Sequence, residues 1–342
     1  MAKAKTKTTL QSVEDSIRSM QAQFGEHALM RLGQQKAVQV DIIPTGSLAL
    51  DAALGIGGYP VGRIVEIYGP EQSGKTTLAL HALANAQGRT PSKVAAHESE
   101  VAFIDMEHAL DPTYAASIGV DLDRVIFSQP DSGEQALDIM YTLVRMSTVG
   151  LVVLDSVAAL VPKAELDGEA GAGQPGMQAR LMGQALRKLT AVASRNNVLL
   201  IFINQLRMKI GVMFGSPEIT SGGQALKYYA SIRLDVRRRD KIDEEGEQVG
   251  RLTKVKVVKN KFFPPFREAF FDIRYGFGID QASDAFAMAI SLGIITKAGS
   301  WYSFDGVQLG QGVRNAEVAL KENPELMAKM QQNVREQFAV AR

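Results

Sequence analysis

Gly69-Pro70-Glu71-Gln72-Ser73-Gly74-Lys75-Thr76 carries the G-x-x-x-x-G-K-[ST] pattern of a phosphate-cradling loop. Before it, residues 63–68 alternate with β-branched side chains and predict a strand. After it, Thr77 opens a run of helix formers that continues through Ala84. Strand, glycine loop, helix is the order in which backbone N–H groups wrap phosphates and a helix N-terminus adds partial positive charge. In that setting Lys75 reaches the β- and γ-phosphates and the Thr76 hydroxyl sits on Mg²⁺. The reading is a nucleotide-binding α/β fold.

Outward from this loop, apolar strands are predicted at 101–105, 151–155 and 198–203, separated by helices such as 133–146 and 178–195. Nearly continuous apolar strands alternating with helices imply a buried, mostly parallel sheet. Residues 229–237 and 252–258 instead alternate polar and apolar, as half-exposed antiparallel strands do. Gly and Pro concentrate at 168–176 and 211–223, which predicts two long loops. From about 280 onward, helices at 283–292, 313–322 and 325–339 surround a short aromatic strand at 301–304. At the other end, Leu10, Val13, Ile17, Met20 and Phe24 fall on one helical stripe, stopped by Gly25. That stripe docks either on its own domain or on a neighbouring subunit. The expected organisation is an N-terminal helix and linker at 1–37, an ATPase core at 38–279 and a small α+β domain at 280–342.

Composition narrows the chemistry. The chain has 342 residues, 46% hydrophobic and 22% charged, which is ordinary for a globular protein. A net charge of +1 means that a polyanion must be held by a local basic surface. No cysteine is present, which excludes thiolate and disulfide chemistry and fits a reducing cytoplasm. The basic start lacks the apolar core of a secretory signal. Val198 to Ile203, the longest apolar run, is too short for a bilayer, so no membrane partner is expected.

Hydrolysis needs an acid for the metal and a group that orients water. Asp155 ends the apolar strand 151–155, where an open parallel sheet places its ligand, and reads as the Mg²⁺ carboxylate; the plain alternative is a cap for the next helix. Glu107 lies just past another strand end and can poise water in line with a γ-phosphate, unless it is a surface glutamate. His108 beside it is given no role. Asn204-Gln205 closes the strand at 198–203 and leads into the loop from 206 to 223. A neutral amide there can hold a γ-phosphate and lose it after hydrolysis, giving the loop two states. The stretch 207–215 mixes cations with apolar residues, and Gly215, Gly222 and Gly223 let backbone approach a strand closely. DNA binding, a subunit-contact loop and a membrane-like apolar tip all fit it.

With these motifs in order, the chain resembles the bacterial RecA family of ATP-dependent homologous-recombination proteins over about residues 8 to 335. The resemblance is carried by Thr45-Gly46-Ser47-Leu48, 62–77, Glu107-His108-Ala109-Leu110-Asp111-Pro112, Asp155-Ser156-Val157-Ala158-Ala159-Leu160, 200–215 and Lys256-Val257-Val258-Lys259-Asn260-Lys261. It implies a RecA-type core, helical filaments on single-stranded DNA with ATP and Mg²⁺ between subunits, strand exchange with duplex DNA, and promotion of SOS-repressor self-cleavage. On this sequence it implies that Gly69 through Thr77 hold the nucleotide, with Asp111 and Tyr114 against adenine. Asp155 would hold the metal through water, Glu107 would activate water and Gln205 would sense the γ-phosphate. Lys259 and Lys261 would reach the ATP of a neighbouring subunit. DNA would be held by Arg180, Arg187, Arg207, Met208, Lys209, Ile210, Gly222 and Gly223. Lys227, Tyr228 and Arg233 match the inter-subunit region, and the N-terminal helix would dock on the next subunit.

Three features depart from the family pattern: a longer stretch at 88–100, Gly173-Gln174-Pro175-Gly176 in the first DNA loop, and an end without an acidic tail. A ring helicase on the same core and a filament scaffold with ATP as a switch are the competing readings. Ring against filament separates the first, and Glu107→Gln the second.

Overall fold

The computed structural model describes residues 2–25, 29, 31, 40–89, 100–146, 148–168, 176–209, 211, 215 and 217–340. It divides into two units, 1–40 and 41–342. The first is the helix α1 (Ala2–Phe24), longer than predicted. Gly25 ends it with φ 97°, its N–H returning to the Gln21 carbonyl at 2.8 Å. Val13, Met20 and Phe24 of the predicted stripe are exposed.

The second unit opens with a short ladder, β1 (Ile42–Ile43) and β2 (Tyr59–Pro60), around α2 (Leu48–Leu54). The chain then alternates: β3 (Ile64–Gly69), α3 (Lys75–Ala84), β4 (Glu100–Asp105), α4 (Pro112–Ile118), β5 (Val125–Ser128), α5 (Gly133–Arg145), β6 (Val149–Asp155). A short α6 (Lys163–Leu166) precedes α7 (Met177–Asn196), β7 (Leu199–Met208), β8 (Glu218–Thr220) and α8 (Ala225–Tyr229). Strands β9 (Ile232–Glu244), β10 (Glu247–Asn260), β11 (Glu268–Arg274) and β12 (Gly278–Ile279) follow. Capping fixes several starts: Ser132 accepts the Gln135 N–H ahead of α5, and Ser47 accepts that of Leu50 in α2.

The central sheet runs β12-β11-β10-β9-β3-β7-β6-β4-β5. From β9 to β5 the strands are parallel, whereas β10, β11 and β12 add antiparallel. The inner strands are buried on both faces, which is why their sequences are apolar without alternation. One apolar cluster, with Leu78, Phe103 and Ile201, fills one face; another, with Leu186, Phe202 and Met140, fills the other. Each such Leu or Ile contributes about 1.5–3 kcal/mol. Register aligns the strand ends, pairing Gly69 with Gln205 and Asp105 with Asp155. The candidate site lies along that line.

The predicted loop from 206 is corrected in part. β7 continues to Met208, and Leu206, Arg207 and Met208 pair antiparallel with Thr220, Ile219 and Glu218. Beyond Gln205 the strand has outrun β3, so its backbone groups pair with the returning chain instead. Of the departures noted in sequence, residues 90–99 and Gly173, Gln174 and Pro175 lie outside the described residues, as do Ile210 and Phe214.

The C-terminal part packs α9 (Gln281–Ser291), α10 (Val313–Glu322) and α11 (Pro324–Val340) on a meander of β13 (Thr296–Ala298), β14 (Trp301–Phe304) and β15 (Val307–Gln311). Phe286 meets Tyr302 edge to face, ring centres 5.1 Å apart. Asp284 of α9 fastens this part to the core, accepting Ser47 Oγ and the Leu48 and Ala49 N–H groups at the start of α2. Among the described residues no helix is long and apolar enough to cross a membrane.

Candidate nucleotide site and DNA-facing loops

The phosphate loop needs its glycines for space and conformation. A Cβ on Gly69 would lie 2.1 Å from the Val236 carbonyl oxygen, and Gly74 has φ 98° with Ile273 Cδ1 in the way. Gln72 also takes a left-handed conformation, at φ 54°. Lys75 is buried and donates to the Pro70 carbonyl at 2.6 Å, so its ammonium already lies over the loop. Burial holds its pKa below the usual lysine range, with Asp155 and Glu107 pulling the other way. Among the described residues Ser73 Oγ is buried with no hydrogen-bond partner.

Thr76 Oγ1 donates to Asp155 Oδ2 at 2.7 Å. Burial pushes the Asp155 carboxyl up to about 6, against the Thr76 hydrogen bond, and the nearby carboxylates of Glu107 and Asp105 raise it further. A buried carboxylate and a half-buried hydroxyl with other acids close by are hard oxygen donors. That set suits Mg²⁺, which takes few protein ligands alongside water and phosphate. Asp155 caps no helix: the turn Val157–Ala159 begins at Ser156, without a side-chain cap.

Glu107 stands past the end of β4. Its Oε1 accepts Gln205 Nε2 at 2.7 Å and also Ser156 Oγ. Three strand ends therefore meet at one carboxylate oxygen. Sequence reading assigned roles to Glu107 and Gln205 but none to Ser156, although it lies in a quoted motif. His108, at φ 54°, is exposed beside them.

A cavity of about 600 Å³ opens above the loop, within the range that takes a nucleotide. Gln72 to Thr77 form its floor, and Asp111, Tyr114 and Ser117 one wall. Asp111 is also the cap of α4, accepting the Thr113 N–H at 2.8 Å, and the Tyr114 hydroxyl bonds Thr77 Oγ1 at 2.9 Å. The facing wall went unnoticed in the sequence: Arg238, Arg251, Thr253, Tyr275 and Gly276. Arg251 Nε donates to the Tyr275 hydroxyl at 3.0 Å. Only the strand order brings these residues, more than 160 positions after Lys75, onto the phosphate loop.

Lys259 and Lys261 do not line this cavity. Lys259 Nζ donates to the Lys227 and Tyr228 carbonyls at 2.6 and 3.0 Å, closing the end of α8. Tyr228 is 72% exposed there, and Arg233 pairs with the buried Glu66 at 2.5 Å.

Of the DNA candidates, Arg180 and Arg187 are exposed two turns apart on α7. Arg207, Met208 and Lys209 are exposed at the end of β7. Gly222 and Gly223 need a different explanation from the one their sequence suggested. Both are left-handed, and a Cβ would strike Val157 Cγ1 at 2.7 Å or Ala179 Cβ at 2.6 Å. They are glycines because the loop's end packs on the start of α7 and the turn after β6.

Comparison with known proteins agrees with this architecture. The family model described as RecA N-terminal domain matches residues 11–280, and that for the RecA C-terminal domain matches 283–339. Protein RecA of Gluconacetobacter polyoxogenes is 53% identical over 340 residues, covering 99% of this chain and 95% of the relative. Protein RecA of Acidothermus cellulolyticus is 55% identical over 329 residues, covering 96% and 93%. Among solved structures, that of the RadB recombinase matches with a TM-score of 0.51 and 24% identity, covering 70% of this chain and 98% of that one. The last likeness speaks to the fold alone.

Proposed function

The chain belongs to the RecA family, and on that premise we propose how its own residues carry the family's work. It is a recombinase and DNA-dependent ATPase that binds ATP, assembles as a filament on single-stranded DNA and exchanges strands with a duplex.

In the proposed mechanism the triphosphate enters over Gly69 to Thr77, and Lys75 turns from the Pro70 carbonyl to the β- and γ-phosphates. Thr76 and Asp155 would hold Mg²⁺, which would supply positive charge against the phosphates. Asp111 and Tyr114 face the base, with Tyr275 opposite. Glu107 takes a proton from water aligned with the γ-phosphate. Lys259 and Lys261 act on the ATP of an adjacent subunit, and α1 docks there through its exposed stripe.

The observation that carries the reading is the Gln205–Glu107 hydrogen bond. A γ-phosphate competes for the Gln205 amide. Winning it frees Glu107 and pulls on the strand that becomes the basic loop at Arg207, Met208 and Lys209. Grip on DNA then depends on the nucleotide. Arg180 and Arg187 contribute from α7, and Gly222 and Gly223 hold the loop's far end. Ile210 completes the DNA set by resemblance. We divide the chain at 1–37, 38–279 and 280–342, and include promotion of SOS-repressor self-cleavage, which the same filament would support.

Measuring ATP turnover with and without single-stranded DNA tests the coupling. Equal rates would sink it. Glu107→Gln refines the test: strand pairing that persists without turnover would make ATP a switch alone.

A further inference from the structure

Gln178 stands at the second position of α7 and uses its amide on three sides. Nε2 donates to the Val157 carbonyl at 2.9 Å and the Leu160 carbonyl at 3.0 Å, while Oε1 accepts the Gly222 N–H at 3.1 Å. Both amide protons and one carbonyl lone pair are thereby committed. The two carbonyls belong to the turn that follows Asp155 and Ser156, and Ser156 Oγ bonds Glu107. Gly222 belongs to the far end of the loop whose near end is Gln205. One side chain thus ties the exit of β6, the first turn of α7 and the return of the second loop.

Packing makes this tie stiff. A Cβ on Gly222 would meet Val157 Cγ1 at 2.7 Å and Met182 Cγ at 3.4 Å, so loop end and turn are already in close contact. Next to it, Asn204 Nδ2 donates to the Ser221 carbonyl at 3.0 Å. The second loop is therefore held at its start by Gln205 and at its end by Asn204 and Gln178.

We infer that Gln178 is a positioning residue that carries the state of the nucleotide site to the far end of the second DNA loop. It does not line the nucleotide cavity. It acts by keeping the Val157–Leu160 turn and Gly222 in one frame, so a shift of Asp155 and Ser156 reaches the loop's return as well as its start. This rests on the reading that ATP strengthens the grip on DNA.

The test uses the full chain and a fluorescent single strand, with Kd measured in a non-hydrolysable ATP analogue and in ADP. The ratio of the two reads the coupling. Gln178→Met keeps the side chain's length and removes its three hydrogen bonds; the ratio is expected to shrink roughly three- to tenfold. Gln178→Glu, which sets a carboxylate against two carbonyls, should shrink it at least as far, and decides the matter if the methionine variant does not unfold cooperatively. A ratio equal to that of the unaltered protein overturns the inference. So does an equal weakening in both nucleotides, which is what a merely structural glutamine would give. A ratio near one in the unaltered protein overturns the functional reading, and this inference with it.

Discussion

Gln205 and Glu107 are joined by a 2.7 Å hydrogen bond, although 98 residues separate them in sequence. The bond spans strand ends that are not neighbours: β6 lies between β7 and β4, and its Ser156 donates to the same carboxylate oxygen. Two donors on Oε1 hold the Glu107 carboxylate in place. The residue proposed to orient water and the residue proposed to sense the γ-phosphate share one hydrogen bond, so neither can change partner without the other responding.

Replacing Gln205 by Met keeps the strand and removes that link. DNA-free turnover should then stay within a few fold of normal, while stimulation by single-stranded DNA falls by about tenfold or more, the size of one charge-assisted hydrogen bond. Steady-state turnover across a DNA titration decides it. Full stimulation in the variant would mean the loop learns of the nucleotide by another route.

Lys259 is predicted to act on a neighbour's ATP. Lys259→Ala alone should lower turnover, but so would any damage to the end of α8, whose carbonyls it closes. Mixing separates the two. A Lys75→Ala subunit still offers Lys259, and a Lys259→Ala subunit still offers a sound phosphate loop. Mixed, they should turn over ATP above either alone. No gain on mixing would place Lys259 outside the reaction.

The sequence was most readable where chemistry is local. The phosphate loop lies within eight consecutive residues, and the inner strands betray themselves because burial on both faces demands unbroken apolar runs. The roles of Ser156 and Gln178 were invisible for a physical reason: a serine or glutamine acquires its role from what stands opposite, and that is set by strand order. The wall of Arg238, Arg251 and Tyr275 was hidden likewise, since it belongs to strands that join the sheet beside β3 late in the chain. Gly222 and Gly223 suggested open space for DNA, yet neighbours already fill that space. A glycine reports a missing side chain and does not say what took its place.

Arg207 and Lys209 project from the exposed end of β7. If each neutralises one phosphate, removing both should flatten the dependence of log K on log salt by roughly 1.4, at about 0.7 per contact on a single strand. Met208, 67% exposed between them, should behave differently. Met208→Ala should weaken binding without altering the slope, because an apolar contact releases no counterion. Fluorescence anisotropy at several salt concentrations reads both, and an unchanged slope in the double alanine variant would move the contact elsewhere.

Asp284 accepts the first N–H groups of α2, and Asp51 within α2 accepts the Thr45 N–H at 2.9 Å. Burial pushes both carboxyls up to about 7; Asp272 raises Asp284 further and Asp284 raises Asp51, against the hydrogen bonds each accepts and, at Asp51, Arg335. A carboxyl raised on folding holds a proton that the unfolded chain would release. Between about pH 4 and 7 the folded state therefore binds more protons, and stability from this pair grows as pH falls and declines as it rises toward 7. His81 works in the opposite sense: buried as the neutral ring that accepts the Ile279 N–H, it is lowered to about 4 and costs stability as pH drops below 6.5. Nucleotide-free thermal midpoints should consequently fall from pH 6.5 to pH 7.5, where the two acids outweigh the histidine, whose unfolded ring is only half protonated at pH 6.5. Asp284→Asn should remove about half of that slope, since Asp51 remains to titrate. If the variant keeps the whole slope, the attachment of α9 to α2 does not titrate in this range, and the pH dependence belongs to other groups.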